Sequence, residues 1–158
     1  MSRSGTTLLT TVLDTHPKIS LGYELMPSEI LNIADLLHTL ETLQSEYPNN
    51  NLEQHAKTLK RNNSTNEGLL SLRAARTGLS IEAFKSILST WLLKSNSIKS
   101  VEERFKISYD IVKEKSKAEG SAITGFKLNN ASYDLALRLF PNSYYIYILR
   151  DPRDVWVS

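Results

Sequence analysis

After Gly120 the chain alternates strand and helix. "AITGFKL" (122–128) reads as a strand and "NASYDLALRLF" (130–140) as a helix. "PNS" is a turn, "YYIYILR" (144–150) a second strand, and "DPRDVWVS" (151–158) opens another helix. Two strands joined through a helix pair in parallel, because a crossover of that length returns the chain in the same direction. "YYIYIL" is apolar on both faces, as a central parallel strand should be. This stretch constrains the fold class most, and it points to α/β with a parallel sheet.

The rest fits around it. Residues 5–14 predict a helix with Leu8, Leu9, Val12 and Leu13 at helical spacing, stopped by Pro17 through its effect on His16. "KISLG" (18–22) is a short strand. "PSEILNIADLLHTLETLQSEY" (27–47) predicts one amphipathic helix, with Pro27 in its first turn and Ile30, Ile33, Leu37 and Leu40 on one face. The middle continues helical, with Ile81, Phe84, Ile87, Leu88 and Trp91 as one stripe and Val101, Phe105, Tyr109 and Val112 as another. "AEGS" (118–121) breaks that pattern. Residues 27–118 therefore read as a helical insertion within a single domain spanning 1–158. His16 belongs to a turn, while His38 and His55 are expected on solvated helix faces, so no metal site is expected.

Composition narrows the function classes. At 158 residues, 41% hydrophobic and 23% charged, the chain is globular rather than disordered. A net charge of +2 without a clustered basic footprint argues against nucleic acid as the main partner. With no cysteine, disulfides, thiolate zinc sites and cysteine nucleophiles are excluded. No apolar run is long enough to span a membrane, and no signal peptide is visible.

Two stretches carry chemistry. In "RSGTTLL" (3–9), Gly5 permits a tight turn, and Thr6 and Thr7 place hydroxyls and backbone N–H groups at a helix start, where partial positive charge suits a phosphate. Arg3 adds a bidentate cation. The same residues also make an ordinary helix cap. A Walker A loop needs a second glycine and a lysine, both absent here. In "YYIYILRDPRDVWVS", Arg150 ends the strand at the position where open parallel sheets contact ligands. Asp151 and Pro152 suit a helix start, and Ser158 lies about two turns on, facing back toward the strand end. Arg150 and Ser158 can thus share one phosphate.

Taken together, "RSGTTLL" and "LFPNSYYIYILRDPRDVWVS" resemble the two cofactor signatures of the sulfotransferase superfamily, whose members transfer sulfonate from 3′-phosphoadenosine 5′-phosphosulfate. The resemblance implies a P-loop-like three-layer α/β/α sandwich. It implies a 5′-phosphosulfate site at Arg3, Ser4, Gly5, Thr6 and Thr7, and a 3′-phosphate site at Arg150 and Ser158. "RSGTTLLTTVLDTHPKISLGYE" is similar to the tyrosylprotein and related bacterial branch, which shares R-S-G-T-T-L, then H-P, then G-x-E. There the glutamate is the general base, which implies that role for Glu24. An exposed loop carboxylate is the alternative. Relatives place a lysine after the strand corresponding to "AITGFKL", on the bridging oxygen of the donor. That implies Lys127 as a catalytic cation beside Arg3, a surface lysine being the alternative. Many relatives follow it with a proline, where this chain has "KLNN".

Relatives also have a strand before the arginine and a long continuation after the second signature. On that resemblance the chain is expected to be a piece of a longer sulfotransferase, lacking the first strand and a C-terminal part. The expected activity is sulfonate transfer to a hydroxyl or amine, with the nucleotide donor and an acceptor as partners and a cytoplasmic location, a membrane-anchored Golgi-type parent being the other possibility. A P-loop small-molecule phosphotransferase and a non-catalytic interaction module built on residues 27–118 are the alternatives.

Overall fold

The computed structural model describes residues 6–25, 31–61, 65–128 and 133–148, the side chains of Thr65 and Asn66 excepted. In chain order the elements are helix α1 (Thr6–Asp14), strands β1 (Ile19–Gly22) and β2 (Leu31–Asn32), and helices α2 (Ile33–Glu46), α3 (Leu52–Arg61), α4 (Thr65–Arg76) and α5 (Ile81–Leu92). Strand β3 (Ser97–Ile98), helix α6 (Val101–Glu119), strand β4 (Ile123–Phe126) and helix α7 (Tyr133–Leu139) follow.

The fold is α/β. Strands β1 and β4 pair in parallel, in register from Ile19 with Ile123 to Gly22 with Phe126. Helices α1 and α6 pack on β1, and α6 also covers β4. Among the described residues, helices α2 to α6 lie in the sequence between the two paired strands.

Helix boundaries follow capping chemistry. Helix α1 stops at Asp14, and the turn that follows bonds Thr15 N to Val12 O and His16 N to Leu13 O. Helix α6 begins with a reciprocal cap: Ser100 Oγ accepts from Glu103 N, while Glu103 Oε2 accepts from Ser100 N. It ends at Gly120 in the left-handed conformation, φ 67°. The helix expected from Pro27 instead begins at Ile33. Leu31 and Asn32 are extended, pairing antiparallel with Ser97 and Ile98, and the Asn32 side chain caps α2 by accepting from Asp35 N. Ile33 N is already committed to Asn96 O, so the helix cannot run back through it. Residues 26–30, including Pro27 and Ile30, lie outside the described residues.

The stripe expected on α5 lies in the core, whereas of the stripe expected on α6 Phe105 and Val112 are buried and Val101 and Tyr109 only half-buried. Ile81, Phe84, Ile87, Leu88 and Trp91 of α5 are buried with Leu36, Leu40, Ile107, Ile111 and Val112 from α2 and α6. A second, aromatic cluster joins α6 to β4 and the end of α7, with Phe126 and Phe140 edge to face at 6.2 Å and Phe105 beside both.

Two expectations are corrected. Residues 143–148 form no strand: Tyr144 is 95% and Ile146 66% exposed. A strand exists only through a neighbour that takes its N–H and C=O groups, and among the described residues none lies alongside. The segment is held by a side chain instead, Tyr145 Oη donating to Ala136 O and Phe140 O at the end of α7. The remainder of "YYIYILR", and "DPRDVWVS" after it, lie outside the described residues. His55, expected in solvent, is fully buried, because α3 and α4 pack tightly and enclose that face.

Candidate functional site

Parallel pairing brings the carboxyl ends of β1 and β4 to one edge of the sheet, where Lys127 N donates to Gly22 O at 3.0 Å. Glycine at residue 22 lets Leu25 and Val112 close directly over the backbone. A Cβ at that position would stand 2.4 Å from Leu25 Cδ1 and 2.5 Å from Val112 Cγ2. Two residues on, Glu24 has a φ of 42°, the one positive value among the described non-glycine residues. Such a conformation costs a non-glycine residue on the order of 1–2 kcal/mol, so the surrounding contacts must hold it.

Those contacts converge on Lys127. Its ammonium donates to Glu24 Oε1 at 2.5 Å and to Thr7 Oγ1 at 3.1 Å. The Lys127 side chain is only 9% exposed, against 36% for Glu24. The lysine is therefore no surface residue; its backbone is aimed by the ladder bond to Gly22 rather than by a following proline. Arg73 of α4 approaches the other carboxylate oxygen, its Nη2 3.9 Å from Glu24 Oε2. The carboxylate thus sits between two cations 54 positions apart in the chain, Arg73 and Lys127.

Three expected site residues, Thr7, Glu24 and Lys127, come together, with Thr6 beside them in the first turn of α1. Arg3, Ser4, Gly5, Arg150 and Ser158 lie outside the described residues. Sequence reading missed Arg73. Nothing in "LSLRAARTG" distinguishes it from any helix-end arginine, and only packing brings α4 to the loop after β1.

The arrangement has definite chemical capacity. Thr7 stands in the first turn of a helix, whose leading N–H groups have no intrahelical acceptor and attract anions. Lys127 links that helix start to the Glu24 carboxylate. Among the described residues no helix is long and apolar enough to cross a membrane.

The model of the sulfotransferase family matches residues 1–158, the whole chain. No curated protein and no solved structure matches it. The match covers the chain from end to end, and the chain therefore belongs to the sulfotransferase family.

Proposed function

We propose that the protein transfers sulfonate from 3′-phosphoadenosine 5′-phosphosulfate to a hydroxyl or amine, with Glu24 as general base. The observation that carries this reading is the position of Lys127, whose one ammonium bonds both Thr7 of the anion-binding turn and Glu24. A donor at the helix start and an acceptor at the carboxylate would meet beside this lysine.

The residues suit the donor. Arg3, Ser4, Gly5, Thr6 and Thr7 would hold its 5′-phosphosulfate, and Arg150 and Ser158 its 3′-phosphate. When bound, the donor supplies an activated sulfonate on a stable bisphosphate leaving group. Glu24 takes the proton of the acceptor as its oxygen or nitrogen attacks. Lys127, Arg3 and the helix start at Thr6 and Thr7 hold the negative charge that develops opposite the attacking atom. Lys127 would have to release Glu24 for the carboxylate to act, and its second bond, to Thr7, keeps it at the start of α1. The domain so used would span 1–158, with residues 27–118 as its helical insertion.

Calorimetry tests the donor class. Adenosine 3′,5′-bisphosphate should bind far more tightly than ATP, since the two anionic sites suit phosphates at both ends of the nucleoside. Equal or tighter binding of ATP overturns the reading.

A further inference from the structure

The outer edge of β1 is closed by an ion pair. Lys18 and Gly22 turn their carbonyls toward β4, accepting from Ile123 N and Lys127 N. Leu21, one residue out of that alternation, turns its N–H and C=O to the opposite edge. There Asp14 Oδ1 accepts from Leu21 N at 2.6 Å, and Lys115 Nζ donates to Leu21 O at 3.1 Å. The two side chains are bonded to each other as well, Lys115 Nζ to Asp14 Oδ1 at 2.5 Å and Oδ2 at 2.6 Å. Lys115 is 8% and Asp14 20% exposed. Carboxylate and ammonium together take the place that the backbone of a neighbouring strand would fill, and the edge is blocked against further pairing.

This pair reaches the candidate site through rigid elements. Asp14 ends the helix that begins at Thr6 and Thr7, and a helix of this length is a stiff rod of about 1.5 Å per residue. Leu21 lies three residues before Glu24. Lys115 belongs to α6, whose Val112 packs under Gly22. One ammonium thus ties together α1, β1 and α6, the elements that bring Thr7 and Glu24 to Lys127. Ser20 strengthens the lock: its hydroxyl bonds Ser121 Oγ at 2.8 Å and the Glu119 carboxylate, which stands 3.8 Å from Lys115.

We infer that Asp14 and Lys115 are positioning residues: the pair, buried at Lys115 and half-buried at Asp14, sets the register of α1 against β1 and so holds Thr7 and Glu24 on Lys127. The inference rests on the proposed function for its catalytic meaning, but its geometry is testable without turnover. A pair so enclosed is costly to break, because removing one partner leaves the other charge buried.

The test is zero-length carbodiimide crosslinking of the full chain, with the Glu24–Lys127 amide quantified by mass spectrometry. The parent should form it readily, since the reacting atoms are 2.5 Å apart. In Lys115→Met the yield should fall by roughly a factor of five or more. Lys115→Arg, which can still reach the carboxylate, should recover at least half. A role in stability alone would leave the yield of the folded fraction, checked by circular dichroism, unchanged. That unchanged yield overturns the inference. If Lys115→Met does not fold, Asp14→Asn decides in its place: it keeps an acceptor for Leu21 N but loses the charge, and its yield should fall between those of parent and uncrosslinked protein. The readout does not depend on catalysis, so failure of the proposed function would show as a normal crosslink in a protein without sulfonate transfer.

Discussion

Glu24 and Lys127, 103 residues apart in the chain, are joined at 2.5 Å at the carboxyl edge of two parallel strands. The bond exists because β1 and β4 pair in register, which puts residue 127 opposite the loop that leaves Gly22. The glutamate reaches it only by taking a left-handed backbone conformation, φ 42°. Strain of this kind persists where surrounding structure enforces it, and it gathers at functional sites.

Glu24→Gln keeps the shape of the side chain but cannot take a proton. Turnover should drop by roughly 10²- to 10⁴-fold, the range of general acid–base catalysis. Affinity for adenosine 3′,5′-bisphosphate should stay within a few-fold of the parent. Steady-state kinetics paired with calorimetry checks both, and near-normal turnover on a high-pKa hydroxyl would remove Glu24 from the mechanism.

Arg150→Ala tests the proposed 3′-phosphate site. A charge-assisted bond is worth roughly 1.5–3 kcal/mol, so the bisphosphate should weaken on the order of 10- to 100-fold. Adenosine 5′-phosphosulfate, which lacks the 3′-phosphate, should bind as before. Equal losses for both ligands point to a structural role.

Gly22→Ala tests the packing beneath the site. The added methyl would meet Leu25 Cδ1 and Val112 Cγ2 at 2.4 and 2.5 Å, and both side chains are fully buried. Overpacking of this sort costs about 1–3 kcal/mol. Gly125→Ala, with Leu21 Cδ2 at 3.1 Å, should cost less. Urea denaturation of the two variants gives the comparison.

Glu103 should give the protein an acid-sensitive increment of stability. Its carboxyl is held below the usual glutamate value by the N–H groups of Ser100, first, and Lys99. A depressed carboxyl stabilises the fold above the ordinary value of about 4.3, and the increment is lost as pH falls through the lower folded value. Glu103→Gln should melt below the parent at neutral pH, and the two curves should converge in acid. A constant difference between them across the pH series contradicts the assignment.

His55 should be replaceable at little cost. Both ring nitrogens are buried without a hydrogen-bond partner among the described residues. Burying such groups costs roughly 1–3 kcal/mol. His55→Leu should leave stability unchanged or raise it, and thermal unfolding reads the sign.

Much of the scaffold was legible because its signals are local. The apolar spacing of residues 81–91 and the break at Gly120 depend on neighbours within a turn or two, and the helices there follow those cues. The start of α2 was misread for the same reason in reverse. Pro27 and the apolar spacing favour an early helix, but Leu31 and Asn32 are claimed by Ser97 and Ile98, a partner no local pattern announces. The stretch 143–148 has strong strand composition, yet composition cannot supply a ladder, and Tyr145 anchors it to α7 instead.

The sequence by itself determined the α/β class, the positions of most helices and three of the residues that meet at the candidate site. Periodicity, caps and short motifs act over distances the chain fixes covalently. The tertiary structure alone decided that Arg73 flanks Glu24, that His55 is enclosed, and that Asp14 and Lys115 close the free edge of β1. Each of these depends on two segments remote in sequence being packed together, and packing energy is a property of the assembled surfaces, not of either segment alone.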